Sequence, residues 1–361
     1  MPSDLRPDAP LATPAVQNPA QPAIEPPSVK LIVRLFVIPF LIVAAAVGIM
    51  MLIGSMAGGT PSVQEAIARL KRPGGERTAD WLVGPGAKQR YMDAKALTDQ
   101  MKAGMTEEER VKLSGELLDL LRNYTRPEEG EVQHFVLLAL GRVWQMDPSQ
   151  GAMDSPAAVE SRKAVMDALL EYAKAPQVAT RKAAILAMAY WKGRDEARRA
   201  IPLLVSKLRD DGEDIDVRIA AATALGPLAS SQDKDAIAAL EYATRDSDPR
   251  EVELVWSASL SLAELNQPQV ADTILKLLSR DELSKMEYYD RESDPQNPSY
   301  RKLSDQEQQR ILINTMIGVE HLDVPAVQGK LKELAEKDPS PRVRAQGIEI
   351  LQRRGAPATT R

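Results

Sequence analysis

The residues of this chain that could carry out chemistry are few and far apart. Among its 361 residues there is no cysteine, which excludes thiolate catalysis, disulfides and cysteine-bound metals. The two histidines, His134 and His321, lie in separate parts of the sequence, so a structural role is favoured over metal binding or general-base catalysis. These residues predict a protein that is not an enzyme and has no cofactor or metal.

Three polar segments resemble ligand sites without meeting their requirements. "GPGAKQR" (84–90) has the glycine and lysine of a phosphate loop but lacks its spacing and its Ser or Thr, which favours a turn. "RDDGEDIDVR" (209–218) concentrates carboxylates without the ligand order of a calcium loop, and "KGRDEARR" (192–199) mixes bases with acids. Both are interpreted as solvated turns between helices.

An insertion at about 281–304 is the segment whose residue types best suit binding. It stands where equivalent parts of the chain have only a short turn, and it contains tyrosine and arginine, which are favoured anchors of protein interfaces. The candidate partner-binding residues are Tyr288, Tyr289, Arg291, Tyr300 and Arg301. A second interpretation is equally open: the tyrosines fold the insertion back onto the rest of the protein.

The composition predicts that these residues are positioned by helices. Hydrophobic residues make up 44% of the chain, charged residues 27% and aromatic residues only 4%, which is typical of a folded protein built from Ala-rich and Leu-rich helices. The 46 basic and 51 acidic residues are mixed along the chain and form no basic stripe. No nucleic-acid partner is therefore expected.

A repeated pattern of small and apolar residues predicts how the helices pack. In "DIDVRIAAATALGPLA" (214–229), Arg218 is followed by Ala221, Ala224, Leu225 and Leu228, all on one helical face. The same frame starts again at Gln133, Arg181, Val255, Arg310 and Arg344. Because an amphipathic helix precedes most copies, each unit is predicted to be a helical hairpin, and the spacing of the units indicates an all-α solenoid of paired antiparallel helices.

The run "DVRIAAATALG" (216–226) and its diverged copies resemble the HEAT-repeat family, in particular its HEAT-like variant, over about 129–354. The resemblance implies a ladder between neighbouring units formed by Asp216 and Arg218. The basic position is kept at Arg181, Arg310 and Arg344, whereas Gln133 and Val255 depart from it. Such solenoids serve many tasks, so the resemblance predicts the fold and leaves the function open.

The sequence predicts five segments, one of which crosses a membrane. The predicted segments are a Pro/Ala-rich tail (1–30), a transmembrane helix (31–54), a linker (55–61), a helical amino-terminal cap (62–128) and the repeats (129–361). The apolar run has the roughly 20 residues needed to cross a bilayer, although "SMA" (55–57) also fits a signal-peptidase site. Flanking basic residues slightly favour a cytoplasmic amino terminus and an extracytoplasmic repeat domain.

These features predict a single-pass, membrane-anchored scaffold that binds a protein partner near the membrane. Two alternatives stay open: an accessory subunit of a membrane-associated enzyme or transport complex, and a lyase-type HEAT-like protein.

Overall fold

The structure is a computed structural model that describes residues 62–72, 87–99, 105–125, 129–146, 154–246, 248–290 and 299–355. Contacts divide the chain into two units, Met1–Gly59 and Thr60–Arg361, and all described residues belong to the second. The predicted tail, transmembrane helix (31–54) and linker lie outside the described residues. Within the described ranges, no helix is both apolar enough and long enough to cross a membrane.

The described residues form 15 α-helices, most of which pack in successive pairs. The first helices of the pairs are α1 (Val63–Leu70), α3 (Glu107–Asn123), α5 (Pro156–Tyr172), α7 (Ile201–Arg209), α9 (Lys234–Ala243), α11 (Ala271–Leu277) and α14 (Pro325–Lys337). The second helices are α2 (Ala87–Asp99), α4 (Gly130–Val143), α6 (Val178–Ala189), α8 (Ile215–Leu228), α10 (Val252–Glu264), α13 (Asp305–Gly318) and α15 (Pro341–Gly355). This is the helical repeat fold that the sequence predicts.

The insertion lies between α11 and α13 and adds a short sheet to the helical fold. It contains helix α12 (Arg280–Lys285) and strands β1 (Glu287–Tyr289) and β2 (Tyr300–Lys302). The strands pair antiparallel, with Tyr288 opposite Arg301. Short 3₁₀ turns, at Asp195–Ala200, Pro249–Glu251 and Pro268–Val270, lead into α7, α10 and α11.

Capping residues explain where several helices begin. A Ser or Thr side chain accepts a hydrogen bond from the third helical amide, and the Glu at that position accepts one from the cap amide, so two otherwise unpaired donors are satisfied. This reciprocal capping box is present in the pairs Ser62–Glu65, Thr106–Glu109 and Ser304–Glu307. Local sequence therefore sets the first residue of α1, α3 and α13.

Small residues allow the second helices to stack closely on one another. Ala221, Ala222 and Ala224 of α8 are fully buried, and α8 packs on both α6 and α10. At Gly141 of α4, an added Cβ would lie 2.4 Å from the carbonyl oxygen of Ala187 in α6. The alanine-rich helix at 214–229 therefore serves close helix approach, because larger side chains would force the backbones apart.

Two tryptophans fill the space where the paired helices meet. Trp144 and Trp191 are fully buried, and each indole N–H has an acceptor. Trp144 donates to Ser114 Oγ at 2.8 Å, and Trp191 donates to the Gly141 carbonyl at 3.0 Å. A buried indole without an acceptor would destabilise the fold, so these hydrogen bonds fix the orientation of both rings.

Candidate functional site

Arginines of the second helices pair with carboxylates that precede the next second helix. Arg181 of α6 donates to Glu213 at 2.6 Å, and Arg218 of α8 donates to Glu251 at 2.9 and 3.2 Å. Burial opposes ionisation of Glu213, but hydrogen bonds from Lys207 and Arg181 hold the pKa of this carboxyl below its ordinary value. These arginines therefore form a ladder, although its acidic members are glutamates that the sequence did not indicate.

The acidic residue expected in the ladder, Asp216, has a different partner. Its carboxylate forms an ion pair with Lys182 and accepts a hydrogen bond from Lys182 Nζ at 2.8 Å. Asp216 lies in the first turn of α8, opposite this lysine, which directly follows Arg181. At the carboxyl-terminal end of the stack, Arg344 donates to the backbone carbonyls of Asp338 and Pro339, at 2.6 and 3.2 Å.

Arg310 does not belong to the ladder, which corrects the predicted repeat frame in α13. After Gln308 in its first turn, the buried residues of this helix and its end are Leu312, Thr315, Met316 and Val319. The frame therefore starts at Gln309, one residue earlier than predicted, and Ile317 is 48% exposed. Because one residue rotates an α-helix by about 100°, this shift turns Arg310 to the solvent side.

The carboxylate that would complete the ladder beyond α13 is bound by another arginine. Asp338, which is buried, accepts hydrogen bonds from Arg280 of α12 at 2.7 and 2.9 Å. Arg310 forms no ion pair with any other residue in the described ranges. The insertion thus supplies a residue for the ladder and leaves Arg310 available.

An earlier ladder member, which was not predicted from the sequence, lies in the predicted cap. Arg90 of α2 is buried and donates to Glu129, at 2.5 and 3.1 Å, and to the Leu70 carbonyl at 2.9 Å. The signal was present in "RYMDAKAL" (90–97), where the later residues occupy the repeat frame. Those frame residues, all buried, are Asp93, Ala96 and Leu97. The division into cap and repeats stays a prediction, although α1 and α2 pack as a pair.

A surface groove opens between α10 and α13, where these helices touch over a shorter stretch than α8 and α10. Its volume is about 330 Å³. Apolar side chains on its walls include Ile219, Trp256 and Leu260, and polar side chains on its rim include Glu253, Glu307 and Arg310. Near the far end of α13 the helices come together, since a Cβ added at Gly318 would lie 3.2 Å from Leu260.

The insertion forms one wall of this groove through Tyr288. The Tyr288 ring lies 6.3 Å from the Trp256 ring, measured between centroids, with their planes inclined by 30°. Its hydroxyl donates to Glu253 of α10. Tyr288 therefore folds the insertion onto the helices, as one of the two sequence interpretations expected.

The other candidate residues of the insertion differ in their exposure. Arg301 lies 5.4 Å from the Tyr288 ring centre and donates to both carboxylate oxygens of Glu307, at 2.7 and 2.9 Å. Tyr289 packs edge-on against Tyr300 at 5.9 Å, and Tyr300 is 42% exposed. Arg291 lies outside the described residues. The structure thus brings four of the five candidates into one hairpin.

Charges on the groove rim are partly neutralised. Hydrogen bonds from Arg301 and then Ser304 hold the pKa of the Glu307 carboxyl well below its usual range, so this group is ionised and paired at neutral pH. Glu253 accepts the Tyr288 hydroxyl. The fully buried Thr315, which also borders the groove, has a hydroxyl without a hydrogen-bond partner among the described residues.

No metal centre is found in the described part of the chain, where no three His, Asp or Glu side chains are grouped so as to hold an ion. Burial lowers the pKa of His134, which keeps its imidazole neutral at pH 7. The residues near the groove supply hydrogen bonds, one unpaired guanidinium and apolar surface, which are the requirements of a binding site.

Residues 166–257 and 201–286 match the model of the family described as HEAT repeats. This match supports the resemblance for the middle of the chain, from α5 to the start of the insertion. No curated protein sequence matches the chain. Among solved structures, the chain is similar to human deoxyhypusine hydroxylase in complex with glycerol, with 14% identity and a TM-score of 0.28 over 83% of this chain and 98% of that one.

The prediction that this chain is not an enzyme is wrong as an exclusion, because the similar solved structure is that of a hydroxylase. The prediction relied on missing cysteines and separated histidines. Function depends on individual sites and not on the fold, so the lack of a recognised motif cannot exclude catalysis. At a TM-score of 0.28 the likeness assigns no activity, substrate or cofactor to this chain.

Proposed function

We propose that this protein is a membrane-anchored helical-repeat scaffold that binds a protein partner at the groove between α10 and α13. The observation that carries the proposal is a face formed by consecutive second helices, here called the second-helix face. It comprises Ile219, Trp256, Leu260, Arg310 and Asn314. An aromatic and an arginine at the centre of such a face are typical anchors of an interface.

The position of the groove supports a protein partner. Ile219, Trp256 and Arg310 each follow the residue that starts the repeat frame in their helix, so neighbouring units present equivalent positions to the same side. A segment lying across the units would meet them in succession. Solenoids bind partners along such extended surfaces.

Photo-cross-linking tests this function. A photoreactive residue is placed at Ile219 or Asn314, and, as a control, at Lys163, which is exposed on the first helix α5. Irradiation of native membranes is expected to link the two groove positions to the same partner and the control position to none. Equal labelling from all three positions, or none from the groove, would contradict the proposal.

The partner identified in this way is then used to measure affinity. Trp256→Ala is expected to weaken binding by about 30-fold, the effect of removing an interface hot spot. Tyr242→Ala is the matched control, since Tyr242 is 52% exposed on the first helix α9. Both variants must retain the melting temperature of the unaltered protein for the comparison to count.

Membrane anchoring is proposed from the apolar run at 31–54. Such a segment removes enough apolar surface from water to hold a protein in a bilayer. The full chain is expected to stay with membranes after alkaline carbonate extraction, whereas a variant lacking 31–54 is expected to be released. Release of both proteins would overturn this part of the proposal.

A further inference from the structure

We infer that the segment bound in the groove is an acidic peptide, with an apolar side chain against Trp256 and a carboxylate paired with Arg310. The inference rests on the proposed function and specifies the chemistry of the partner. It follows from three properties of the groove: its unpaired guanidinium, its exposed side-chain amide and its apolar walls.

The guanidinium of Arg310 gives one side of the groove a local positive charge that can bind a negative group. Glu307 is already paired with Arg301, and Glu253 accepts a hydrogen bond from Tyr288. Arg310 has no ion pair with another described residue, although it borders the same groove. A carboxylate is the group that can pair with this guanidinium through two parallel hydrogen bonds.

An exposed side-chain amide, which can donate hydrogen bonds, lies beside Arg310. Asn314 lies four residues after Arg310, on the same side of α13, and is exposed. Its side-chain NH2 can donate to a carboxylate bound at Arg310. An ionised carboxylate only accepts hydrogen bonds, so it can bind the guanidinium and this NH2 group together, whereas an ammonium group cannot.

The apolar walls and the size of the groove favour a peptide over a nucleic acid. Trp256, Ile219 and Leu260 offer a surface on which an aliphatic or aromatic side chain can be buried. A volume of about 330 Å³ accommodates a few side chains. A nucleic-acid backbone needs several cations, whereas Arg310 is the only cationic side chain that lines the groove among the described residues.

Selection from a library of random linear peptides tests the inference. Phage-displayed peptides are selected on the full-length protein in detergent micelles, and the enriched sequences are synthesised for fluorescence anisotropy. We expect an Asp or Glu within one helical turn of a Leu, Phe or Trp. Arg310→Glu is expected to weaken binding by at least about tenfold. Arg122→Glu makes the same charge change at an exposed site on α3 and is expected to have less than about a twofold effect.

A charge exchange sharpens the test. A peptide whose acidic residue is replaced by Lys is expected to lose affinity for the unaltered protein and to recover it on the Arg310→Glu variant. Recovery requires direct pairing, because a structural defect in the variant could not be repaired by changing the peptide. Free glutamate that displaces the peptide at equal concentration would instead indicate a small-molecule site and would overturn the inference.

The outcomes separate this inference from the proposed function. If binding depends on Trp256 but not on Arg310 or on acidic residues, the acidic assignment is wrong and the groove remains an interface. If no peptide is enriched, or if neither Trp256→Ala nor Arg310→Glu matters, both proposals fail. Should Trp256→Ala lower the melting temperature, Ile219→Ala replaces it, because this change removes apolar surface from the groove and leaves its charges unaltered.

Discussion

The contact between α8 and α10 and the contact between α10 and α13 are built from different residues. In the first, small side chains let the backbones approach, and Ser261 Oγ of α10 donates to the Ala222 carbonyl of α8 at 2.7 Å. In the second, the helices touch over a shorter stretch, and Tyr288 of the insertion packs beside Trp256.

This difference shows where a repeat protein can acquire a binding site. Close stacking uses most of the facing surface for stability, so less of it remains for a ligand. Where an insertion changes the contact between two units, apolar and charged side chains of both helices stay accessible. We therefore expect substitutions in the close contacts to affect folding and substitutions at the groove to affect binding.

The largest expected effect is that of Arg218→Ala. This substitution leaves Glu251 without its buried arginine, and the free energy of unfolding is expected to fall by about 3 kcal/mol. Arg310→Ala is the matched control and is expected to change it by less than about 0.5 kcal/mol, since Arg310 has no ion pair among the described residues. Urea unfolding measures both, and equal losses would remove the distinction between the two regions.

The next effect concerns close helix approach. Gly141→Ala places a Cβ against the backbone of Ala187 and is expected to destabilise the fold by about 2 kcal/mol. Gly115→Ala is the control, because a Cβ there meets nothing within 4 Å. Its higher helix propensity predicts a gain of up to about 1 kcal/mol. Thermal unfolding that shows the same sign for both would contradict the close packing of α4 on α6.

A smaller effect is expected for attachment of the insertion. Tyr288→Phe removes the hydroxyl that donates to Glu253, at a cost of about 1 kcal/mol. Amide exchange of β1 and β2 should therefore accelerate about fivefold while the melting temperature stays nearly constant. Tyr300→Phe is the control, because Tyr300 is exposed. The assigned contact would be refuted if amide exchange were unchanged in Tyr288→Phe and faster in Tyr300→Phe.

The smallest effect is a pH dependence at Glu307, whose pKa is lowered mainly by the hydrogen bond from Arg301. A carboxyl with a lower pKa in the folded state stabilises the fold above its ordinary pKa of about 4.3, and this stabilisation is lost as the pH falls towards the folded value. The difference in stability between the unaltered protein and Glu307→Gln is expected to be at most about 1 kcal/mol above pH 5. Calorimetry at a series of pH values should show it shrinking below about pH 4; a constant difference would exclude the ion pair as its source.

Much of the repeat fold could be predicted because small and apolar residues recur at helical spacing. The predicted frame is right for α4, α6, α8, α10 and α15, where residues at the frame positions lie on the buried side of the helix. It failed by one residue in α13, since "QQRILINTMIG" (308–318) has apolar residues on two adjacent faces and the sequence offers both alignments. The tertiary packing decides between them, because it buries Leu312 and Thr315 and leaves Ile317 exposed.

The binding site was less predictable than the fold. Tyr288 and Arg301 were chosen for residue type, but whether they contact a partner or the protein itself depends on which helices lie opposite. Arg310 was assigned to the repeat pattern, and Trp256 was not predicted to have a role. Their place at the groove arises from distant segments, since α10 and α13 are separated by α11, α12 and the hairpin. Sequence spacing gives no distance across such an insertion.

The sequence by itself determined the helical pairs and their small-residue faces, because periodicity and capping act over a few neighbouring residues. The tertiary structure alone decided the partners of the ladder arginines, the rotation of α13 and the groove. These features depend on contacts between residues far apart in the chain, and a rotation of one residue in a helix is enough to exchange a buried side chain for an exposed one.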